Sequence, residues 1–177
     1  MWTAIIFWLG FLTFLVLILG TFAWGGILAA PWVPLWKKDV VRMLTLAETK
    51  PGELVYDLGA GDGRMLIIAA KQFQAKAVGF EIAVLPYLLG YIKIILNGLR
   101  SKVSLKYRNF FKIDLSQADV ILTFLTPPAM EKLKPKLQQE IKPTCRVVSY
   151  AFKIPGWEPV KIDKPDNSSA AVYLYRR

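Results

Sequence analysis

Residues 54–64 read Leu-Val-Tyr-Asp-Leu-Gly-Ala-Gly-Asp-Gly-Arg, an apolar strand that runs into a carboxylate and then into glycine at every second position. This stretch constrains the fold more than any other. Gly59, Gly61 and Gly63 let the backbone turn tightly and approach a ligand that a Cβ would hold away. Apolar residues resume at Met65, Leu66, Ile67, Ile68, Ala69 and Ala70, so a helix is expected to start there with its N-terminus facing the ligand. The pattern predicts a nucleotide-type pocket at the carboxyl end of a first β-strand of an α/β sheet.

The flanks narrow the ligand. The spacing is G-x-G-x-G, not the G-x-G-x-x-G of nicotinamide or flavin proteins, and no G-x-x-x-x-G-K-[ST] occurs. One strand-plus-helix later, Ala77-Val78-Gly79-Phe80-Glu81-Ile82 forms a second apolar strand ending in an acid. A carboxylate at that tip can accept both hydroxyls of a ribose. Asp57 and Asp62 would repel a pyrophosphate and suit a ligand carrying ammonium or sulfonium charge. Together these features favour S-adenosylmethionine over a chance Gly-rich turn. Asp57 is expected to organise the loop and face the methionine moiety, with Gly59, Ala60, Gly61 and Gly63 giving backbone approach. Asp62 either touches the ligand or caps the following helix.

The chain has 177 residues, 54% of them hydrophobic, enough for one α/β domain and one added element. The apolar excess sits at the front. No Asp, Glu, Lys or Arg lies between Trp2 and Trp36, which exceeds the roughly 20 residues a bilayer span needs. Trp2 and Trp8 towards one end, and Trp24, Trp32 and Trp36 towards the other, suit interfacial anchoring. A cleaved signal peptide is the rival, but no basic segment precedes the run and the run is too long. An uncleaved single-pass transmembrane helix over residues 1–30 is therefore expected, then a connector and helix over 31–53, then the catalytic fold over 54–177. Gly10, Gly20, Gly25 and Gly26 offer no convincing small-residue face for helix pairing. Lys37, Lys38 and Arg42 follow the span directly, which places the C-terminal part on the cytoplasmic face, or the matrix face in a mitochondrion.

Charge and residue inventory exclude several chemistries. The 23 basic and 13 acidic side chains give a net charge of +10. No aromatic-basic module or zinc pattern supports nucleic-acid binding, and attraction to an anionic leaflet explains the excess. The absence of histidine removes His-based triads and His-ligated metals, so no metal is expected. The single Cys145 reads as a small core residue and cannot form an internal disulfide, which fits a reducing compartment.

Further along, strands are expected near 54–58, 76–82, 103–107, 118–125 and 146–152, and helices near 35–48, 64–73, 84–96 and 128–141. Only about six residues separate the fifth strand from the next candidate near Val160, too few for a crossover helix. The last strands, 159–163 and 171–176, should therefore form an antiparallel edge. The helix over 84–96 carries Leu85, Leu88, Leu89, Ile92 and Ile95, a composition that asks for burial or a membrane surface.

From about Pro31 onward the chain resembles the class I, seven-strand S-adenosylmethionine-dependent methyltransferases. Within them it is most similar to the small archaeal protein-lysine methyltransferase and its mitochondrial relatives, which modify lysines of inner-membrane proteins. The residues behind the similarity are Pro31-Trp32-Val33-Pro34, the run Val55–Arg64, Asn109-Phe110-Phe111, Leu133-Lys134-Pro135-Lys136-Leu137, Arg146-Val147-Val148-Ser149, Gly156-Trp157 and Val172-Tyr173-Leu174-Tyr175. Pro86 is a departure, because the family commonly has a more polar helix there. The resemblance implies a Rossmann-like, mostly parallel sheet. It places Asn109 against the adenine amine with Phe110 beside the ring, adds Ile82 to the pocket, and sets Thr126 and Pro127 at the methyl-transfer point. It also puts Pro31–Trp36 over the cofactor, so Trp32 is either part of a lid or an interfacial residue. The expected activity is lysine methylation of membrane-associated proteins. The alternatives are methylation of a lipid or quinone headgroup, and a non-catalytic cofactor-binding scaffold.

Overall fold

The glycine turn ends a first strand as expected. In a computed structural model, which describes residues 1–28 and 30–177, β1 (Leu54–Leu58) is an interior strand of a seven-stranded sheet. The strands are β2 (Lys76–Glu81), β3 (Val103–Tyr107), β4 (Val120–Thr123), β5 (Arg146–Tyr150), β6 (Lys161–Asp163) and β7 (Val172–Arg176), in the order β3-β2-β1-β4-β5-β7-β6. β1 to β5 run parallel, with Asp57 level with Gly79 on one side and Leu122 on the other. β7 inserts antiparallel between β5 and β6. The short β5–β6 connection forbade a crossover helix, and the antiparallel edge follows from it. The sheet is therefore mixed. All four residues of β4 are buried, as a strand covered on both faces requires.

The helices are α1 (Trp2–Leu28), α2 (Lys37–Leu46), α3 (Arg64–Gln72), α4 (Val84–Leu96) and α5 (Pro127–Glu140), with a 3₁₀ turn at Phe110–Lys112. One core joins α2 and α3 to the sheet through Val40, Met43, Leu44, Leu66, Ala69 and Val120. The other packs α5 on the opposite face through Met130, Leu133 and Leu137. Arg42 fastens α2 to the C-terminal hairpin, donating to Asp39, Asp163 and the Ala170 carbonyl. Pro86 is buried and costs no helical bond, because it sits in the first turn of α4, where backbone N–H groups lack intrahelical partners.

In α1, Trp2–Thr21 is long and apolar enough to cross a membrane by length and composition. Its described side chains up to Gly20 are exposed. The anchoring role of Trp24 and the packing of Gly25 and Gly26 lie outside the described residues.

β4 and β5 end earlier than the apolar runs suggest. Ala151 takes a φ of 65°, and Phe152 N–H donates to the Tyr150 carbonyl, so the chain leaves the ladder after Tyr150. The structure also moves Asp62 away from the capping role considered above. The N-cap of α3 is Gly63, at φ 71°, with no side-chain cap.

Candidate active site

The site is built at the carboxyl tips of β1, β2 and β4. After Leu58 the backbone bends at Gly59 (φ 89°), and Gly59 and Ala60 N–H both donate to the Phe80 carbonyl at 3.0 Å. The turn is thereby tied to β2. Gly79 permits this closeness, because a Cβ there would lie 2.6 Å from Ala60 Cβ and 2.5 Å from a Leu66 methyl. Gly61 turns left-handed again at φ 52° and lies under the Trp32 indole, 2.6 Å from where a Cβ would stand. Trp32 therefore covers the glycine loop. Arg64 holds the cover down by donating to the Leu35 carbonyl at 2.7 Å.

Three carboxylates converge here, each in a different state. Glu81 is buried, and its carboxylate accepts from Gly61 N–H (2.7 Å), Ile82 N–H (2.8 Å) and Ala83 N–H (2.7 Å). It thus fixes the loop and the start of α4 together, and of its roughly four lone-pair sites keeps one, on Oε2, for a ligand. Asp62 pairs with Arg64 at 2.8 Å and with Lys93 from α4. Burial alone would raise its pKa, but the hydrogen bonds from Arg64 and Lys93 prevail and hold it below the usual carboxylate range. Its charge is therefore largely spent within the protein. Asp57 is fully buried, and neither of its oxygens has a partner among the described residues. Burial, followed by the charges of Glu81 and Asp62, pushes its pKa up to about 8.

A pocket opens over this loop. Gly59, Ala60, Asp62, Glu81, Ile82, Asn109 and Phe110 of the predicted set line it. Asp57 lies behind the loop, Gly61 lies under Trp32, and Gly63 packs against Gly90 of α4. Asn109 Oδ1 accepts from Phe111 N–H at 2.9 Å, which fixes the turn that presents Phe110 and Phe111. At the β4 tip the wall is Phe124 and Leu125, while Thr126 and Pro127 follow as N-cap and first residue of α5. Sequence reasoning missed Arg64, Lys93, Gly79 and Gly90. Gly90 had a signal, since a glycine inside a helix is unfavourable unless something packs closely against it. A Cβ on Gly90 would stand 2.8 Å from the Asp62 backbone.

The arrangement suits a cationic adenosine ligand. Glycines leave room for its backbone-side approach, Glu81 has acceptor capacity, and the unpartnered Asp57 offers a latent negative charge. The ANTKMT methyltransferase domain model matches residues 57–161, more than half of the chain. The chain belongs to the ANTKMT methyltransferase family.

The methyltransferase is 45% identical over 148 residues to a protein-lysine N-methyltransferase of Saccharolobus islandicus, across 82% of this chain and 92% of the relative. It is 32% identical over 137 residues to the mouse adenine nucleotide translocase lysine N-methyltransferase, across 76% of this chain and 58% of that protein. The chain thus spans little more than half of this animal relative. Among solved structures it matches an RNA methyltransferase of Salinibacter ruber in complex with S-adenosyl-L-homocysteine. That match has a TM-score of 0.78 and 33% identity, over 81% of this chain and 93% of the other. The methyltransferase is an enzyme that uses S-adenosylmethionine.

Proposed function

We propose that this enzyme is a membrane-anchored protein-lysine N-methyltransferase acting on proteins of the same membrane. The observation that carries the reading is the junction of anchor and pocket. Ala30 and Pro31–Leu35, the residues that follow α1, form one wall of the cofactor pocket. The named activities of the archaeal and mouse relatives support lysine as the acceptor. Tethering confines enzyme and target to one surface and raises their effective concentration.

The bound cofactor would supply an electrophilic methyl on a cationic sulfur. Glu81 would hold the ribose, Asp57 would face the cationic methionine end, and Asn109 and Phe110 would border the adenine. Phe124 leads from the pocket to an aromatic group, with Tyr150 5.0 Å away edge-on and Phe152 stacked at 6.5 Å. Ser149 Oγ donates to the Phe152 carbonyl at 2.6 Å and fixes that turn. An aromatic surface of this kind would strip water from an incoming lysine ammonium and lower its pKa, so that its proton leaves to solvent and the lone pair is free for attack. The wall aligns the amine with the methyl.

Methylation of a lipid or quinone headgroup is a second reading, favoured by the apolar residues exposed on α4. Full-length enzyme, labelled cofactor and native membranes separate the two. Label on protein, localised to lysine by mass spectrometry, is the expected result. Label in the organic extract alone, or in RNA alone, would overturn the proposal.

A further inference from the structure

We infer that α4 is a second membrane contact, lying in the plane of an anionic leaflet beside the anchor and holding the cofactor pocket at that surface. The inference rests on the anchoring reading of α1 and extends it.

On one side α4 packs into the protein through Pro86, Gly90 and Ile94. The opposite side is also apolar. Leu85, Leu88, Leu89, Ile92, Ile95 and Leu96 recur at helical spacing as one stripe, and Leu88, Ile92 and Leu96 are 47%, 52% and 79% exposed. A stripe of this kind, unpartnered in water, marks an interaction surface.

Charge identifies the occupant. Residues 82–113 contain six Lys and Arg and no Asp or Glu. Lys93 is committed to Asp62. Arg100, Lys102, Lys106, Arg108 and Lys112 are exposed, and none is in an ion pair among the described residues. Because α4 runs back along β3, Arg100 and Lys102 sit near its last turn and Lys106 and Arg108 near its first. An apolar stripe bracketed by cations matches acyl chains bordered by anionic headgroups. Tyr87, Tyr91 and Tyr107 form a ring cluster at the same edge, with centroids 5.4–6.2 Å apart, and tyrosine suits the headgroup level.

Position gives an independent argument. α4 begins against α1, with Val84 N–H donating to Thr21 Oγ1 at 3.3 Å. Across an open groove, Val16, Leu17 and Gly20 of α1 face Ile82, Tyr107, Arg108 and Asn109. The lipid-facing surface of α1 therefore continues onto α4. Since Gly90 packs against the Asp62 backbone, docking α4 fixes the depth of the glycine loop.

The test uses the full chain in a Cys145→Ala background, reconstituted into phosphatidylcholine vesicles with and without phosphatidylglycerol. An environment-sensitive fluorophore is attached at Leu12→Cys, Ile92→Cys or Glu131→Cys. With anionic lipid, labels at positions 12 and 92 should shift to the blue and be quenched by acyl-chain quenchers severalfold more than the label on α5. Removing phosphatidylglycerol should weaken quenching at position 92 and leave position 12 unchanged. Adding Leu88→Glu and Ile95→Glu should abolish quenching at position 92, while the thermal shift with S-adenosylhomocysteine persists and shows an intact fold. A quenched label at 12 with an aqueous label at 92 would overturn the docking of α4 and leave the anchor standing. Aqueous labels at both positions would overturn the two together. Shielding at 92 that depends on protein concentration and not on lipid would give the face to a second copy and overturn the inference.

Discussion

Asp57→Asn is the substitution in which the electrostatics of the site can be read most directly. The wild-type carboxyl is fully buried, unpartnered, and pushed from 3.8 up to about 8. The unfolded chain releases this proton above about pH 4, while the folded chain holds it until about pH 8. The folded state binds more protons in that window, so stability falls as pH rises through it, by about 1.4 kcal/mol per unit. At pH 7 Asp57 therefore costs the cofactor-free protein about 4 kcal/mol. Asparagine stays neutral, and its unpaired amide costs about 1–3 kcal/mol, much as the unpaired protonated carboxyl does. The stabilisation by Asp57→Asn should thus be small near pH 5 and grow by about 3–4 kcal/mol towards pH 8, roughly 6–16 °C in Tm. Paired thermal unfolding across that range measures it. A pH-independent difference, or a variant less stable than wild type at pH 8, would refute the reasoning.

The same group predicts the pH dependence of cofactor affinity. A cationic ligand favours ionised Asp57, so binding should expel a proton and tighten by up to about tenfold per unit as pH rises towards 8. Titration calorimetry in buffers of different ionisation enthalpy counts that proton. The ligand's own amine titrates alike with both proteins, so the wild-type slope minus the Asp57→Asn slope isolates the side chain. S-adenosylhomocysteine, without the sulfonium charge, should show a weaker slope. Equal slopes for wild type and Asp57→Asn would remove Asp57 from the binding step.

Three further outcomes follow from the geometry. Gly61→Ala places a Cβ at φ 52° and 2.6 Å from Trp32, so it should cost about 2–3 kcal/mol. Adding Trp32→Ala should recover the clash and leave the backbone cost of about 1–2 kcal/mol, seen in unfolding midpoints. Glu81→Gln loses at least one of three charge-assisted bonds, so S-adenosylhomocysteine affinity by calorimetry should fall about 10- to 100-fold with the circular dichroism unchanged. Arg64→Ala frees the Leu35 carbonyl while Asp62 keeps Lys93. Stopped-flow fluorescence of Trp32 should then report faster cofactor exchange with only a small change in stability.

Elements whose local pattern and tertiary setting agree were legible from the residues alone. The strands at 54–58 and 103–107 and the helix at 84–96 coincide with the expected bounds, because turn residues such as Pro51-Gly52 and Asn97-Gly98 punctuate the apolar runs. β5 was over-extended because its end depends on Ala151 adopting a left-handed φ, which no alanine advertises. The residues of the glycine turn were legible for the same reason that the fold was: their backbone demands are local. What surrounds them was not. That Trp32 covers Gly61, that Lys93 neutralises Asp62, and that Glu81 accepts from Gly61 N–H are contacts between segments 20 or more residues apart.

Those unread contacts share one consequence. The sequence suggested a loop whose acids face a ligand, whereas the structure shows a loop whose acids are mostly engaged by the protein. Glu81 ties the loop to α4, Asp62 ties it to α4 again through Lys93, and Arg64 ties it to the segment that follows α1. Of these three acids, Asp57 alone has no partner among the described residues. The loop's shape therefore does not wait for the cofactor to form, which reduces the ordering cost of binding. It is set by α4 and by the connector that follows α1. A change in the setting of α1 or α4 should consequently alter cofactor affinity without touching a ligand-lining residue. Moving the full chain from detergent into anionic vesicles, with calorimetry of S-adenosylhomocysteine in both, measures that coupling directly.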